Sequence, residues 1–375
     1  MTSVTRMRRL PAWQPTPAEG RLLAACLGDP ERRTQALEAW YREHGGSAPD
    51  GGTQRLLPLA LPRLLDIAPG SELVRRAQAI HLETSRLNLA RIGRLVGALR
   101  HLGDAGVPGV VLKGAAVVLR YYRNYGTRAM ADVDVLVRRS HVARAAAALS
   151  QRGWTPAGDP RGALLDIRMR LGHAWAFEAE PLHSLDLHWR LLSGGGPEVE
   201  ELIWDALQTA RAGVAEVRVP GATDQVFHAC AHALQPHWSP SPRWIADVVT
   251  ILDADGSRLD WNRLLDLAAR TATRARLHTA LGEVDRYAPR RVPPAVIARL
   301  ESSAASWEWR ELALLARLPP FGSRDLARWH WYRFRRLRRS DPSWRGLPVA
   351  AGLADYARLK LRVRRADAPR LRESA

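Results

Sequence analysis

The sequence predicts an α+β protein with a small mixed β-sheet at its centre and helical regions before and after it. Three observations predict this. Apolar residues recur at helical spacing up to Asp104. The period changes at Gly106-Val107-Pro108. Short strand-like runs then alternate with helical ones as far as Val219, after which helical spacing returns. On this pattern residues 1–104 form an N-terminal helical region, 105–220 an α/β core, and 221–375 a C-terminal helical region with a basic tail.

In the N-terminal region Leu22, Leu23, Leu27, Leu37 and Trp40 punctuate the first helical segments, with a break at Gly28-Asp29-Pro30. A loop rich in Gly, Ser and Pro runs from Gly45 to Gly52, and an apolar pattern resumes from Leu56 to Ile67. Ser71-Glu72 opens a longer helix carrying Leu73, Ala77, Ile80, Leu87, Ile92, Leu95 and Leu99. Its arginines read as a solvated face, and the region shows no chemistry of its own.

Within the core, Val110 to Leu112 is a short apolar strand and Gly114 supplies a turn. Ala115 to Tyr122 is a helix whose first amides suit an anion. Asp132 to Val137 is a second strand, and Ser140 to Gln151 a helix that recrosses the sheet. Asp132 and Asp134 stand at i and i+2, so in an extended strand they share one face. Their mutual repulsion calls for a cation between them, and a divalent metal ion is the usual answer.

Between His173 and Leu191 two extended runs flank Pro181 as a hairpin. In the second, Asp186 and His188 share one face, while Leu185, Leu187 and Trp189 share the other. A carboxylate inside such a run needs a partner if buried. Asp186 is therefore a third candidate carboxylate, with Glu178 in the neighbouring strand next in order. Val214 to Val219 reads as a closing strand.

Beyond Pro220-Gly221 the chain is helical. His228, Cys230, His232 and His237 invite a zinc reading, and His228 and His232 would share a helical face. Cys230 would point away from them and no CxxC or HExxH accompanies it, so histidines lining a helix–core interface are expected. Trp244, Ile245, Val248, Val249 and Leu252 form an apolar stripe, with Asp247 placed to orient a histidine. In the basic segment Arg328 to Arg339, Trp331, Phe334 and Leu337 fall on one face, as in a helix docked onto the protein.

Hydrophobic residues make up 46% of the 375 and charged ones 25%, which are ordinary globular values, but the formal net charge is +18. Such a chain attracts polyanions, whether nucleotides, nucleic acid or an anionic membrane surface. Arginine carries nearly all of the charge, for lysine occurs only at Lys113 and Lys360. A lysine at the turn of the core supplies a compact ammonium suited to phosphate. The two cysteines, Cys26 and Cys230, lie far apart and imply no disulfide framework. No apolar stretch follows the basic N-terminus and none is long enough to span a bilayer, so a soluble cytoplasmic protein is expected.

The stretch from Val110 to Arg138 resembles the signature of the DNA polymerase β-like nucleotidyltransferases, and more closely a bacterial family of uncharacterised nucleotidyltransferases. The residues that carry the likeness are Lys113-Gly114-Ala115-Ala116, Tyr122, Gly126-Thr127-Arg128 and Asp132-Val133-Asp134-Val135-Leu136-Val137. Leu185-Asp186-Leu187-His188-Trp189 resembles a further element of that family. Ala115 departs from the wider pattern, in which Ser or Gly follows the glycine, so a hydroxyl contact to phosphate must come from elsewhere.

The resemblance implies metal-dependent transfer of a nucleoside monophosphate from an NTP, with ATP the expected donor, to an acceptor hydroxyl with release of pyrophosphate. It implies Mg²⁺ or Mn²⁺ held by Asp132, Asp134 and Asp186, which are also the catalytic residues, and nucleotide binding by Lys113, Gly114 and Arg128. Loss of any one carboxylate should abolish transfer with the fold intact, and Lys113 should be removable at little cost in stability. Two rival classes remain, an RNA- or tRNA-directed transferase suggested by the charge, and a non-catalytic nucleotide-binding scaffold suggested by Ala115.

Overall fold

The computed structural model describes residues 11, 13–31, 33–45, 50–158, 163–179, 183–235, 242–317 and 323–373. Five helices come first: α1 (Pro17–Leu27), α2 (Arg33–His44), α3 (Gly51–Gln54), α4 (Leu57–Ile67) and α5 (Glu72–Asp104). Local chemistry sets their starts. Thr16 and Glu19 form a capping box at α1, and the Ser71 hydroxyl accepts the Val74 N–H at α5.

The central region runs β1 (Val110–Leu112), α6 (Lys113–Tyr121), β2 (Val133–Leu136), α7 (Val142–Ser150), β3 (Thr155–Pro156), α8 (Ala163–Leu171), β4 (Ala174–Ala179), β5 (His183–His188), α9 (Pro197–Asp205), β6 (Leu207–Ala212) and β7 (Ala215–Pro220). Helices follow to the end: α10 (Ala222–Ala233), α11 (Arg243–Asp255), α12 (Trp261–Thr271), α13 (Arg274–Tyr287), α14 (Pro294–Ser303), α15 (Ser306–Leu315), α16 (Ser323–Ser340), α17 (Pro342–Arg345) and α18 (Val349–Glu373).

The strands form one mixed seven-stranded sheet among the described residues, in the order β3-β4-β5-β2-β1-β7-β6. The β2–β5 and β1–β7 pairs are parallel and the others antiparallel. This is the expected α+β architecture, a mixed sheet with helices before and after it. β6, a partly polar strand, is an addition to the sequence reading. It pairs with β7 around Gly213, whose φ of 63° suits the tight turn.

Side-chain alternation divides the two cores. Val111, Val133, Val135, Leu185 and Leu187 face a layer that includes Ile92 and Leu95 of α5 and Ala145 and Leu149 of α7. Val110, Leu112 and Leu136 face the opposite layer, with Phe227 and Cys230 of α10 and Ile245 of α11. That second layer continues into Leu22, Leu37, Trp40 and Leu57, and α1 packs against α11 and α13 of the helices that follow the sheet.

On α16, Phe334 and Leu337 are buried against Trp344 and Tyr356, in the docked manner expected, while Trp331 is 37% exposed and meets Phe334 at 6.2 Å between ring centroids. The Arg336 fork on Glu311 and the Thr271 carbonyl fixes the helix further. No described helix is long and apolar enough to cross a membrane.

Candidate active site

The site forms on the face of the sheet covered by α10 and α11. Asp134 and Leu136 of β2 point to this face, and the parallel register sets Asp134 beside Asp186 and Leu136 beside His188. Across β5 the partners of Asp186 and His188 are Ala176 and Ala174 of β4, whose small side chains leave space over both. One strand pairing thus delivers Asp134, Asp186 and His188 to one place, with ligating atoms all within 4.8 Å of one another. Asp132, which immediately precedes β2, stands outside that trio but lines the adjoining cavity with Lys113 and Asp134.

Asp134 is almost fully buried, and two groups compensate it. Lys113 Nζ donates to Oδ1 at 2.5 Å and His188 Nε2 lies 2.9 Å from the same oxygen. The other ring nitrogen of His188 faces the Arg190 carbonyl at 3.3 Å, which fixes the ring. Burial alone would raise the Asp134 pKa, but Lys113 and His188 outweigh it and hold the carboxyl far below the usual range. Asp132 and Asp186 move the other way, raised by burial and by the neighbouring Asp134 charge. Burial opposes the Lys113 ammonium, yet Asp134, with Asp186 and Asp132 behind it, raises its pKa overall.

Lys113 reaches Asp134 from an unusual backbone. Its φ is 47°, in the left-handed region, so the turn expected of Gly114 is made by the lysine itself. Gly114 serves a different purpose, close approach. A β-carbon there would lie 2.2 Å from Arg128 Nη1, so the guanidinium rests directly against the first turn of α6. That turn has no side-chain cap.

Arg128 forks onto Asp247 of α11 through Nε at 3.0 and 3.1 Å and Nη2 at 2.8 Å, and the Tyr122 hydroxyl donates to Asp247 at 3.0 Å. Asp247 therefore holds an arginine and a tyrosine, not the histidine the sequence suggested. The cavity beside these groups has a volume of about 210 Å³. Its walls carry Lys113, Asp132 and Asp134 on the sheet side, and Arg128, His228 and Arg243 among others on the helical side. Burial and the nearby Arg128 lower the Arg243 pKa to about 10.

The histidines of α10 border this cavity. His228 and His232 pack edge to face at 5.9 Å, and burial, Lys113 and His188 depress the His228 pKa to about 3. Among the described residues the three-ligand cluster is Asp134, Asp186 and His188; His237 lies outside the described residues. Glu178 pairs with Ser184 toward the far end of β4 and is exposed, away from the cluster.

Three contributors escaped sequence reasoning. His188 was placed on the right face but given no role. Arg243, the first residue of α11, directly precedes the apolar stripe that begins at Trp244 and was given no role. Asn88 was overlooked, although its position in line with Thr84, Ile92 and Leu95 on the buried face of α5 was a signal. The Asn88 amide donates to the Tyr125 and Arg128 carbonyls, both at 2.7 Å, and its oxygen accepts the Met130 N–H at 3.3 Å. The long helix thereby anchors the loop that carries Arg128.

A family model described as "Uncharacterised nucleotidyltransferase" matches residues 52–289. No curated protein matches the chain. Among solved structures the chain is similar to an antigenic nucleotidyltransferase-like protein from Paracoccidioides brasiliensis, at 13% identity over 62% of this chain and 97% of that one. The TM-score is 0.34, at which the likeness carries no structural argument. The family match spans well over half of the chain and includes every residue of the cluster, so the protein belongs to this family of uncharacterised nucleotidyltransferases.

Proposed function

We propose that the protein is a metal-dependent nucleotidyltransferase that moves a nucleoside monophosphate from an NTP, ATP being the first donor to try, to an acceptor hydroxyl and releases pyrophosphate. The observation that carries this reading is the meeting of Asp134, Asp186 and His188 at the edge of a cavity whose opposite wall holds Arg128 and Arg243. Carboxylates at one end and guanidinium groups at the other suit a metal-bound polyphosphate.

The residues fit a divalent cation. Ligating atoms within 4.8 Å of one another can share an ion at metal–ligand distances of roughly 2.0–2.2 Å. Asp134 and Asp186 would hold it with Asp132 from the cavity wall, and the imidazole of His188 makes Mn²⁺ acceptable alongside Mg²⁺. When bound, the ion would supply positive charge to the triphosphate and to the attacking and leaving oxygens.

The chain's own groups do the rest. Lys113, at the uncapped start of α6, meets the phosphate end, and Arg128 keeps a fixed direction because Asp247 and Asn88 hold its side chain and its loop. Asp186, its proton affinity raised by burial and by the Asp134 charge, would take the acceptor proton. The helical cover of α10 and α11 limits access of water to the reacting phosphate.

The test is incubation with radiolabelled ATP, GTP, CTP and UTP against cell extract and purified RNA, with and without Mn²⁺ or Mg²⁺. Label transfer and pyrophosphate release that require the metal support the reading. In parallel, metal and NTP together should raise the melting temperature more than either alone. No label transfer with binding retained would favour a nucleotide-binding scaffold, and no shift at millimolar nucleotide would remove the nucleotide altogether.

A further inference from the structure

A second, larger cavity of about 430 Å³ lies where the parallel strands β2 and β5 end. β2 continues into Val137, Arg138 and Arg139, and β5 into Trp189 and Arg190, while the Val137 N–H to His188 carbonyl bond at 2.9 Å keeps the two exits together. Arg170 of α8, the start of α9 at Pro197, and Ser340–Ser343 between α16 and α17 close the remaining sides. The crevice at the carboxyl ends of parallel strands is a recurrent place for ligands.

Its walls hold four arginines, and they are not equally compensated. Arg138 is fixed by Glu201 at 2.5 and 2.6 Å and lies over the Trp204 ring at 4.8 Å. Arg170 is fixed by Asp341 at 3.2 Å and Ser343 at 2.7 Å. Arg139 donates to the Met169 carbonyl at 2.7 Å. Arg190 is only 5% exposed, and its Nη1 is buried with no hydrogen-bond partner among the described residues.

A buried guanidinium N–H without a partner forfeits its hydration and gains nothing in return. The adjacent carboxyl of Glu200 does not redress it. That carboxyl accepts the Leu191 N–H at 3.2 Å, and burial pushes its pKa up to about 8, so it is largely uncharged near neutrality. The cavity is thus left with surplus positive charge and an unused donor.

We propose that this cavity is an anion site for a small dianionic phosphate, with Arg190 and Arg139 as its principal ligands and Arg138 and Arg170 as pre-oriented walls. Planar guanidinium forks match phosphate oxygens, and the volume exceeds that of a phosphate group alone, leaving room for a small organic moiety. Inorganic phosphate and a phosphate monoester share this chemistry and are separated by experiment. The proposal does not depend on nucleotidyl transfer.

The test is isothermal titration calorimetry on the full chain with inorganic phosphate and with glycerol 3-phosphate, at constant ionic strength, for the wild type and for Arg190→Gln, Arg139→Gln and Lys113→Ala. Wild type should bind at least one of the two. Arg190→Gln and Arg139→Gln should each weaken it by about tenfold or more, the loss of roughly one charge-assisted hydrogen bond. Lys113→Ala should leave it intact, which separates this site from the carboxylate cavity. Tighter binding of the monoester identifies a phosphorylated small molecule as the ligand, and equal binding identifies free phosphate. Should Arg190→Gln fail to fold by circular dichroism, Arg139→Gln carries the test. The proposal is overturned by absence of binding to both probes, by unchanged binding in folded variants, or by loss of binding in a Lys113→Ala variant that circular dichroism shows to be folded.

Discussion

His188 Nε2 and Lys113 Nζ converge on one oxygen of Asp134, at 2.9 and 2.5 Å, and this carboxylate is the most deeply buried of the three candidates. The three side chains form a charge unit in which each partner offsets the desolvation of the others. The expectation that any of the three carboxylates can be removed with the fold intact therefore divides into two cases.

Asp134→Ala leaves a buried ammonium without its counter-charge and should destabilise the protein by about 3 kcal/mol. Asp132→Ala and Asp186→Ala remove charges that are unfavourable in the metal-free protein, so they should cost little or no stability. All three should lack transfer activity. Urea unfolding of the three variants at pH 7, run beside wild type, checks the ordering; a wild-type midpoint for Asp134→Ala would refute it. The same geometry predicts that Lys113→Ala costs stability as well as turnover, contrary to the sequence expectation, and that Lys113→Arg restores only part of kcat/KM.

Gly114→Ala should displace Arg128, because the new β-carbon would stand 2.2 Å from its Nη1, a contact that real structures do not tolerate. The fork on Asp247 must shift or the start of α6 must move, at a cost of about 1–3 kcal/mol. NTP affinity should fall with it. Thermal unfolding and nucleotide titration of this variant measure the two effects, and wild-type values in both would show that Arg128 moves freely.

Asn88→Ala removes three hydrogen bonds from the loop between Tyr125 and Met130 and leaves their backbone groups unpaired in a buried setting. We expect a loss of about 2–3 kcal/mol, on the scale of a buried group left unsatisfied. Amide exchange should accelerate in that loop first. Uniform acceleration over the whole chain would point instead to global destabilisation.

Glu200 makes stability depend on pH. Its folded pKa of about 8 exceeds the unfolded value, so the folded state binds more protons between the two. Its contribution is fully present below about pH 4.3, the ordinary glutamate value, and is lost as pH rises through about 8. Glu200→Gln keeps an acceptor for the Leu191 N–H and should flatten the fall in melting temperature between about pH 4.3 and about pH 8. A wild-type profile in that variant would assign the titration to another group.

The sequence was informative wherever a residue's role depends on near neighbours. Period two in Val133 to Leu136 and in Leu185 to Trp189 put Asp134, Asp186 and His188 on a defined strand face, whereas Asp132 falls just before its strand, and the change of period at Gly106 located the start of the sheet region. Ser71 announced its helix because a cap is satisfied within three residues. Asn88 was legible in principle, as an amide on an otherwise apolar helical face.

What the chain order could not disclose was pairing across distance. The parallel register of β2 on β5 places Asp134 beside Asp186, and nothing in either strand alone specifies that register. The Arg128 fork on Asp247 joins residues 119 apart, and Arg190 acquires its unmet donor only because α8, α9 and the α16–α17 junction close over it. Periodicity and capping are local consequences of backbone geometry, readable from spacing. Burial, charge compensation and cavities arise when separate elements pack, and they exist only once the whole chain has folded.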